Sequence, residues 1–541
     1  MVPVETADRH RLAATLRSAL GDGHETPVEL CVAPVGPVGL DADIASDRRV
    51  SICPPQPALA TATRAALAAA RGDAVALLSP GDLLVPGALG GARNAWQHGA
   101  SAVDVLYTDE AERGDRDQPV DPFLKPDWSP ERLHAQPYLG RFTALRRRLV
   151  EEVGGLRSDL GEAAEHDLVL RVAERARRVH HLTGVAYLHA PDRPAIPAPS
   201  PAGLRAITEH LERTGFPATA EIASEIGAEP DADTYYRLRP ALRERPLVSI
   251  VIPTAGYRRY VRGALVDLVV HCVRSVVTCS TYPYYEIVCV AGDAMPARTR
   301  DALTSIAGDR LCMVDNPGTF NFARAINLGA LHSQGQHLVL LNDDTEVITP
   351  DWIEALLMFS TRPDVGAVGA KLLFADDRVQ HGGIIVPSRG GPGHPWYGFP
   401  GDHPGYADAL RVPCEYQAVT GACLMTRREH FDAVGGFATV FPLNYNDVDY
   451  CLKLRQRGQA VVVNPQVRLY HFEWSSRGEG TPNTAELAEL ERRWGTTLDR
   501  DPFYNEGFGR SCDFRPPVNS LADARRTAVR PWSPGRAPAL P

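Results

Sequence analysis

The residues of this sequence best suited to chemistry lie in its second half. Asn342-Asp343-Asp344 directly follows the apolar run His337-Leu-Val-Leu-Leu341. Carboxylates where a strand ends can hold Mg²⁺ or Mn²⁺, and such an ion can bridge a diphosphate. Spacing alone leaves an ordinary turn open, because Asp and Asn are frequent turn residues. Asn446-Asp447-Val448-Asp449 opens a helical pattern after Phe441-Pro442. Helix capping explains such residues there. The functional alternative makes Asp447 a general base, which requires hydrogen-bond reach to the hydroxyl it deprotonates.

His471 follows the apolar strand pattern Ala460-Val-Val-Val463. A lone histidine after a strand is commonly structural, and the upstream metal-competent motif strengthens the reading as a ligand. Phe320-Asn-Phe322 with Asn327, and Val419-Thr-Gly-Ala-Cys-Leu424, offer polar contacts beside a nucleotide or acceptor. The Thr420-Gly421 step lets a ligand approach the backbone, while core packing accounts for the phenylalanines.

The elements around these residues alternate. Leu247-Val-Ser-Ile-Val-Ile-Pro253 reads as a buried strand, a helical stretch runs to about Thr278, and Tyr285-Glu-Ile-Val-Cys-Val290 reads as a second strand. Ala323 to Leu331 reads as helix and His337 to Leu341 as strand. This alternation predicts an α/β fold with a parallel, doubly wound sheet that binds ligands at its carboxyl edge.

The same series occurs twice, at a separation of roughly 260 to 280 residues, which means a duplicated domain rather than a solenoid. Gly72-Asp-Ala-Val-Ala-Leu-Leu-Ser-Pro-Gly-Asp82 matches Gly335-Gln-His-Leu-Val-Leu-Leu-Asn-Asp-Asp-Thr345. Val153-Gly-Gly-Leu156 matches Val434-Gly-Gly-Phe437, and Glu165-His-Asp167 matches Asp447-Val-Asp449. The first copy shows no convincing opening strand and ends in the proline-rich run Ala190 to Pro201.

At 541 residues the chain calls for at least two domains. A net charge of −9 argues against a nucleic-acid partner. The ten cysteines form no CxxC pair and read as buried thiols rather than disulfides or a zinc site. The start lacks a signal-peptide pattern, and no apolar run reaches the roughly 18 residues of a membrane span. The expectation is a cytoplasmic protein.

Taken in order, these residues resemble the family 2 glycosyltransferases of GT-A fold, closest to bacterial members that build O-antigen, rhamnan and other surface polysaccharides. Val248-Ser-Ile-Val-Ile-Pro-Thr254, Thr281-Tyr-Pro-Tyr-Tyr-Glu-Ile-Val288, Phe320-Asn-Phe322, Leu341-Asn-Asp-Asp-Thr-Glu-Val347, Thr420-Gly-Ala-Cys423, Gly435-Gly-Phe437, Asn446-Asp-Val-Asp449 and Leu469-Tyr-His471 carry the resemblance. It implies an inverting, metal-dependent glycosyltransferase. Asp447 stands at the catalytic base. Asp344, Asn342 and His471 stand at the metal site for Mg²⁺ or Mn²⁺. Pro253, Thr254, Asp293, Asn321, Asn327 and Asp343 stand on the donor side, and Thr420, Gly421, Asp449 and Trp474 at the acceptor pocket. The implied partners are a nucleotide-sugar donor and a glycan or lipid-linked acceptor, with peripheral association at the inner face of the cell membrane.

The chain departs from the family pattern in places. Asn342 removes one carboxylate of the metal motif, Asp293 lies in a shifted base-reading stretch, and Tyr257 to Leu265 is an insertion without an assigned role. In the first copy Ser79-Pro-Gly81 replaces the metal aspartates. The expected organisation is therefore a degenerate GT-A-like domain over 1–189, linker and connecting helices over 190–245, a catalytic domain over 246–514 and a disordered tail over 515–541. The alternative is a glycan- or partner-binding pseudo-glycosyltransferase.

Overall fold

Short runs rich in Val, Ile and Leu, bounded by Gly, Pro and Asp, become the strands that carry both halves of the chain. The computed structural model describes residues 1–5, 8–22, 28–98, 103–223, 235–386, 391–472, 484–509 and 514. The first half holds β1 (Val2–Val4), β2 (Leu30–Pro34), β3 (Val50–Ile52), β4 (Ala74–Val75), β5 (Leu83–Leu84), β6 (Val105–Arg113), β7 (Pro119–Phe123), β8 (Thr143–Arg146) and β9 (Val179–His189). Helix Pro201–Thr214 and the hairpin of β10 (Ala218–Ile222) and β11 (Tyr236–Pro240) connect the halves. The second half holds β12 (Val248–Thr254), β13 (Arg258–Val261), β14 (Ala264–Asp267), β15 (Tyr285–Ala291), β16 (Leu311–Asp315), β17 (His337–Leu341), β18 (Thr345–Val347), β19 (Val365–Leu373), β20 (Val379–His381), β21 (Cys414–Glu415), β22 (Cys423–Arg427) and β23 (Ala460–His471).

The fold is α/β, as expected. The larger sheet runs β16-β15-β12-β17-β22-β19-β23-β18, with β20 against β19 and β21 against β23. Its first block is parallel: β15 pairs with β16, and β12 with both β15 and β17. Beyond β17 the sheet is mixed, with β22 antiparallel to its neighbours and β19 parallel to β23. The carboxyl ends of β12, β15 and β17 form the edge where such sheets bind ligands.

The first half repeats this order. Its sheets run β3-β2-β1 and β4-β8-β6-β9-β5, with β7 against β6. The Met1 amine donates to Ala76 O at 2.9 Å and Leu78 N to Met1 O at 2.9 Å, which joins β1 to the segment after β4. Read through that join, the series matches the larger sheet strand for strand. The expectation of a missing opening strand is corrected here: Val2–Val4 pairs in parallel with β2. Three residues are too few to show a period, so pairing with β2 makes this strand, not its own pattern. The expected connecting helices reduce to one described helix and a hairpin. The tail over 515–541 lies outside the described residues.

Buried polar contacts join the halves. Asn505 Nδ2 donates to both carboxylate oxygens of Asp109 (3.0 and 3.1 Å), and the His181 imidazole meets Asp109 at 2.9 Å. At the surface, Arg500 forks onto Asp127 at 2.8 and 3.0 Å. Farther along, Arg362 pairs with the fully buried Glu131, whose backbone N–H reaches Glu415 Oε1 at 3.2 Å. Ser129 bonds the other Glu415 oxygen. Burial, and then the Glu131 charge beside it, push the Glu415 carboxyl up to about 8. Glu131, although buried, is held low chiefly by Arg362.

A carboxyl whose folded pKa is raised contributes stability in full below its unfolded pKa. That stability is lost as pH rises through the folded value. The contribution of this group to wild-type stability should therefore decline between about pH 5 and pH 8. Glu415→Gln, which copies the protonated acid, should lack that decline, gaining on the order of 3 kcal/mol relative to wild type at the alkaline end. Thermal melts of both proteins across that range check this.

Candidate functional site

The site grows from the end of β17. Its five residues are buried, and the next backbone amide, Asn342 N, donates to Ala422 O at 3.0 Å. The Asn342 carbonyl accepts from Thr345 Oγ1 at 2.9 Å, closing the turn that carries Asp343 and Asp344. The chain then enters β18, which pairs antiparallel to β23 with Thr345 opposite His471. Phe472 N donates to Asp344 O at 2.9 Å.

That register sets His471 Nε2 at 3.1 Å from Asp344 Oδ1 and at 3.1 Å from Asn342 Nδ2. On its other side His471 Nδ1 lies 2.7 Å from Gln380 Oε1. An amide oxygen only accepts, so Nδ1 carries a proton and Nε2 is the ring atom turned to Asp344 and Asn342. A half-turn of the Asn342 amide would place its Oδ1, which is buried without a hydrogen-bond partner among the described residues, beside the same point. Neighbouring oxygen ligands of an octahedral Mg²⁺ lie about 3 Å apart, given bonds of about 2.1 Å. One carboxylate, one neutral imidazole and one amide oxygen at this spacing fit a divalent cation that takes its remaining ligands from water and diphosphate.

Among the described residues no group of three or more His, Cys, Asp or Glu side chains is placed to hold a metal. This set has two of those residue types plus an amide, so it is a partial cage.

Asp447 stands in the first turn of helix Asn446–Gln456, behind Tyr445 in the left-handed region at φ +58°. Its Oδ2 accepts from Gly421 N and its Oδ1 from Val448 N, both at 2.9 Å. Gly421 adjoins Ala422, the partner of Asn342 N. Two hydrogen bonds and one peptide unit thus connect the metal motif to the carboxylate. A Cβ on Gly421 would meet Phe322 at 3.5 Å and Asp447 Cβ at 3.6 Å, ordinary contacts. The fold itself does not demand glycine at this point.

The remaining expected residues divide. Thr254, at the end of β12 after the buried Pro253, donates through Oγ1 to Asp343 Oδ2 at 2.6 Å. This bond ties two central strands together at the ligand edge. Asp293 is exposed there and accepts from Gly318 N at 2.9 Å. Asn321 caps helix Phe322–Leu331 by accepting from Arg324 N, and Nδ2 donates to Thr439 O. Asn327 clamps the backbone of Phe437 from both sides at 2.8 Å, holding the Gly-Gly turn. Asp449 is fully buried and accepts from Trp494 Nε1 and Arg493 Nε, each at 3.0 Å. Asn327 and Asp449 thus make bracing contacts within the fold. Thr420 N reaches His381 Nε2 at 3.4 Å. Trp474 lies outside the described residues.

Sequence reasoning missed Gln380 and His381. Gln380 orients His471, and the buried His381 is kept neutral by burial, with His394 and His471 nearby. The available signal was Val379-Gln-His-Gly-Gly383, a polar pair before two glycines. Only the pairing of β20 with β19 brings it to the site.

The first copy lacks this set of side chains. The register of β5 and β9 pairs Leu83 with Leu188, so Asp82 falls opposite His189 as Thr345 falls opposite His471. Gly81 then stands where Asp344 stands. Asp82 is itself engaged by Tyr187 Oη at 2.7 Å and Ala190 N at 2.9 Å.

Residues 249–435 match the profile described as Glycosyl transferase family 2. The chain is 35% identical over 461 residues to the O-antigen biosynthesis protein RfbC of Myxococcus xanthus, an alignment covering 82% of this chain and 34% of that protein. It is 34% identical over 465 residues to the uncharacterised protein y4gI of Sinorhizobium fredii, covering 83% of this chain and 50% of that one. The chain thus spans half or less of these curated relatives.

A mannosyltransferase from Pyrobaculum calidifontis, solved with GDP-mannose and Mn²⁺, overlays at TM-score 0.33 and 16% identity, over 53% of this chain and 76% of its own. GalNAc-T7, solved with UDP, GalNAc and Mn²⁺, overlays at TM-score 0.37 and 14% identity, over 55% and 56%. Overlays this loose carry no argument for the present site.

Because Gly421 has room for a methyl group, Gly421→Ala should fold with its melting temperature nearly unchanged. If ligand passes over this backbone, turnover should drop by on the order of 10²-fold through misplacement of the reacting groups. Melting curves and initial rates on the same preparation separate the two effects.

Proposed function

Residues 249–435 are a glycosyl transferase family 2 domain, and from that premise we propose that the chain transfers a sugar from a nucleotide-sugar donor to a glycan or lipid-linked acceptor with inversion, in cell-surface polysaccharide synthesis. The observation that supports this most is the short path from Asn342 through Ala422 and Gly421 to Asp447. It sets a cation-competent donor set beside a carboxylate on one sheet edge.

In this reading Asp447 takes the proton of an acceptor hydroxyl as that oxygen forms a bond to the anomeric carbon. The bond from that carbon to the diphosphate oxygen breaks, and the electron pair leaves with the nucleoside diphosphate. Asp344, His471 and Asn342 would hold Mg²⁺ or Mn²⁺, which supplies charge stabilisation to the departing diphosphate. Gln380 keeps His471 in the tautomer that can ligate, a role whose loss typically weakens metal affinity by about 10–100-fold. Thr254 and Asp343 keep the ends of β12 and β17 in register beneath the donor.

A second reading, a binding protein without turnover, draws on one observation: Asn342 leaves the donor set with a single carboxylate. The first copy, with Gly81 at the metal position, serves in either reading as a packed partner domain rather than a second active site.

The test is nucleoside-diphosphate release with Mn²⁺ or Mg²⁺ across a panel of nucleotide sugars, with a cell-envelope lipid extract as acceptor source. One donor should support metal-dependent release. Asp447→Asn should lower it about 10²–10⁴-fold, Asp344→Ala should remove the metal dependence, and Glu165→Gln should leave it unchanged. No release from any donor would sink the transferase reading in favour of binding alone.

A further inference from the structure

Asp447 owes its position to the loop before it. That loop runs from Phe441 to Tyr445 and ends on the tyrosine in the left-handed region, at φ +58°. Tyr445 is the N-cap residue of the helix that follows and makes no side-chain cap bond. A tyrosine holds that backbone conformation only where its surroundings impose it. On one side Phe322 N donates to Pro442 O at 2.8 Å and fixes the loop. On the other, helix Thr484–Trp494 fixes it.

Glu486, in the first turn of that helix, is 4% exposed. Its Oε2 accepts from Asn444 N at 2.7 Å and Leu443 N at 3.3 Å, and its Oε1 from Asn444 Nδ2 at 3.3 Å. A buried carboxylate is tolerated only when hydrogen-bonded, and bonds to its charge are stronger than neutral ones. Two turns along the same helix, Arg493 and Trp494 reach the buried Asp449, just beyond Asp447. Between these ends Leu490 is fully buried in the cluster that holds Phe441 and Val448. Residues 486, 490, 493 and 494 share one face of a helix of 3.6-residue period. That face grips the chain before Asp447 through Glu486 and after it through Arg493 and Trp494. Asp447 stands between the two grips, its carboxylate on Gly421 N and Val448 N.

The first half contains the same helix without the carboxylate. Helix Pro201–Thr214 follows β9 as Thr484–Trp494 follows β23, and it packs on helix Ala164–Ala173, which carries Glu165. Its first turn has no acid. Packing of this helix is common to both halves, whereas the carboxylate grip is confined to the half that carries Asp447.

We propose that Glu486 is a positioning residue for Asp447, holding the Leu443–Asn444 backbone so that the Asp447 carboxylate stays on Gly421 N. The proposal rests on the reading of Asp447 as the base, and the geometry it asserts is measurable without turnover. Glu486 supplies position rather than charge, since its oxygens meet N–H groups of the loop. Glutamine can copy the grip: its amide oxygen takes both backbone N–H groups while its NH₂ donates to a turned Asn444 amide. Aspartate keeps the charge on a stem one carbon shorter and falls short of the loop.

The experiment compares Glu486→Ala, Glu486→Gln and Glu486→Asp in the full chain by hydrogen–deuterium exchange, thermal melting and initial rates. In the alanine and aspartate variants the Gly421 amide should exchange about 10-fold faster as its bond to Asp447 loosens, with β17 unchanged. Turnover should fall on the order of 10²-fold through misplacement of the carboxylate, while the donor KM stays within about twofold of wild type. Glutamine should recover most of both, with an unshifted pH profile. Should alanine fail to fold, the aspartate and glutamine variants decide between position and charge. Unchanged Gly421 exchange in the aspartate variant, a loss of protection that spreads through β17, or glutamine behaving like alanine would each overturn the proposal. Absence of turnover in the wild type sinks the transferase reading alone, and exchange at Gly421 still decides this one.

Discussion

The site depends on one strand pairing, β18 against β23. Asp344 and His471 are far apart in the chain, and neither can find the other through local structure. The antiparallel register that sets Thr345 opposite His471 brings them to 3.1 Å. Side chains alternate along a strand, so a slip of one residue would turn His471 toward the β13–β14 hairpin and present Tyr470 or Phe472 to the turn. The aromatic cluster behind β23 opposes that slip by burying Phe472 with Val261 and Leu268. Packing on one face of the strand thus fixes where His471 stands on the other.

The duplicated half shows what the scaffold does without the side chains. Its strand order repeats the larger sheet, and its β5–β9 register sets His189 opposite Asp82. Yet Gly81 offers no ligand, and Asp82 is engaged by Tyr187 and Ala190. A register is necessary for such a site and does not suffice. What the first half retains is a surface that packs on the second through buried groups, among them Asn505 on Asp109 and Arg362 on Glu131. Removing one partner of a buried pair generally costs about 3–5 kcal/mol, so these contacts hold the halves in a fixed relation.

Much of this was legible in the sequence. The strands β12, β15 and β17 are apolar runs with clear ends, and the repeat of Gly-Gly turns and acidic helix starts marked the duplication. Asn342-Asp343-Asp344, His471 and Asp447 could be picked out as candidates because of residue type and position, and the fold sets Asp344 and His471 at 3.1 Å. Other features were hidden for physical reasons. Val2–Val4 is too short to show a period and owes its state to β2. The bonds of Asn327 to Phe437 and of Asp449 to Arg493 and Trp494 join partners that only tertiary folding supplies. Gln380 reaches His471 only because β20 pairs with β19 beside β23.

The account comes down to one cation site per chain, built by the β18–β23 register in the second half and missing from the first. Mn²⁺ binding followed by electron paramagnetic resonance, with saturating nucleoside diphosphate, tests this most directly. It predicts one bound Mn²⁺ per chain, lost on His471→Ala and kept on His189→Ala. Two equivalents in the wild type, or a single one that survives His471→Ala, would contradict it.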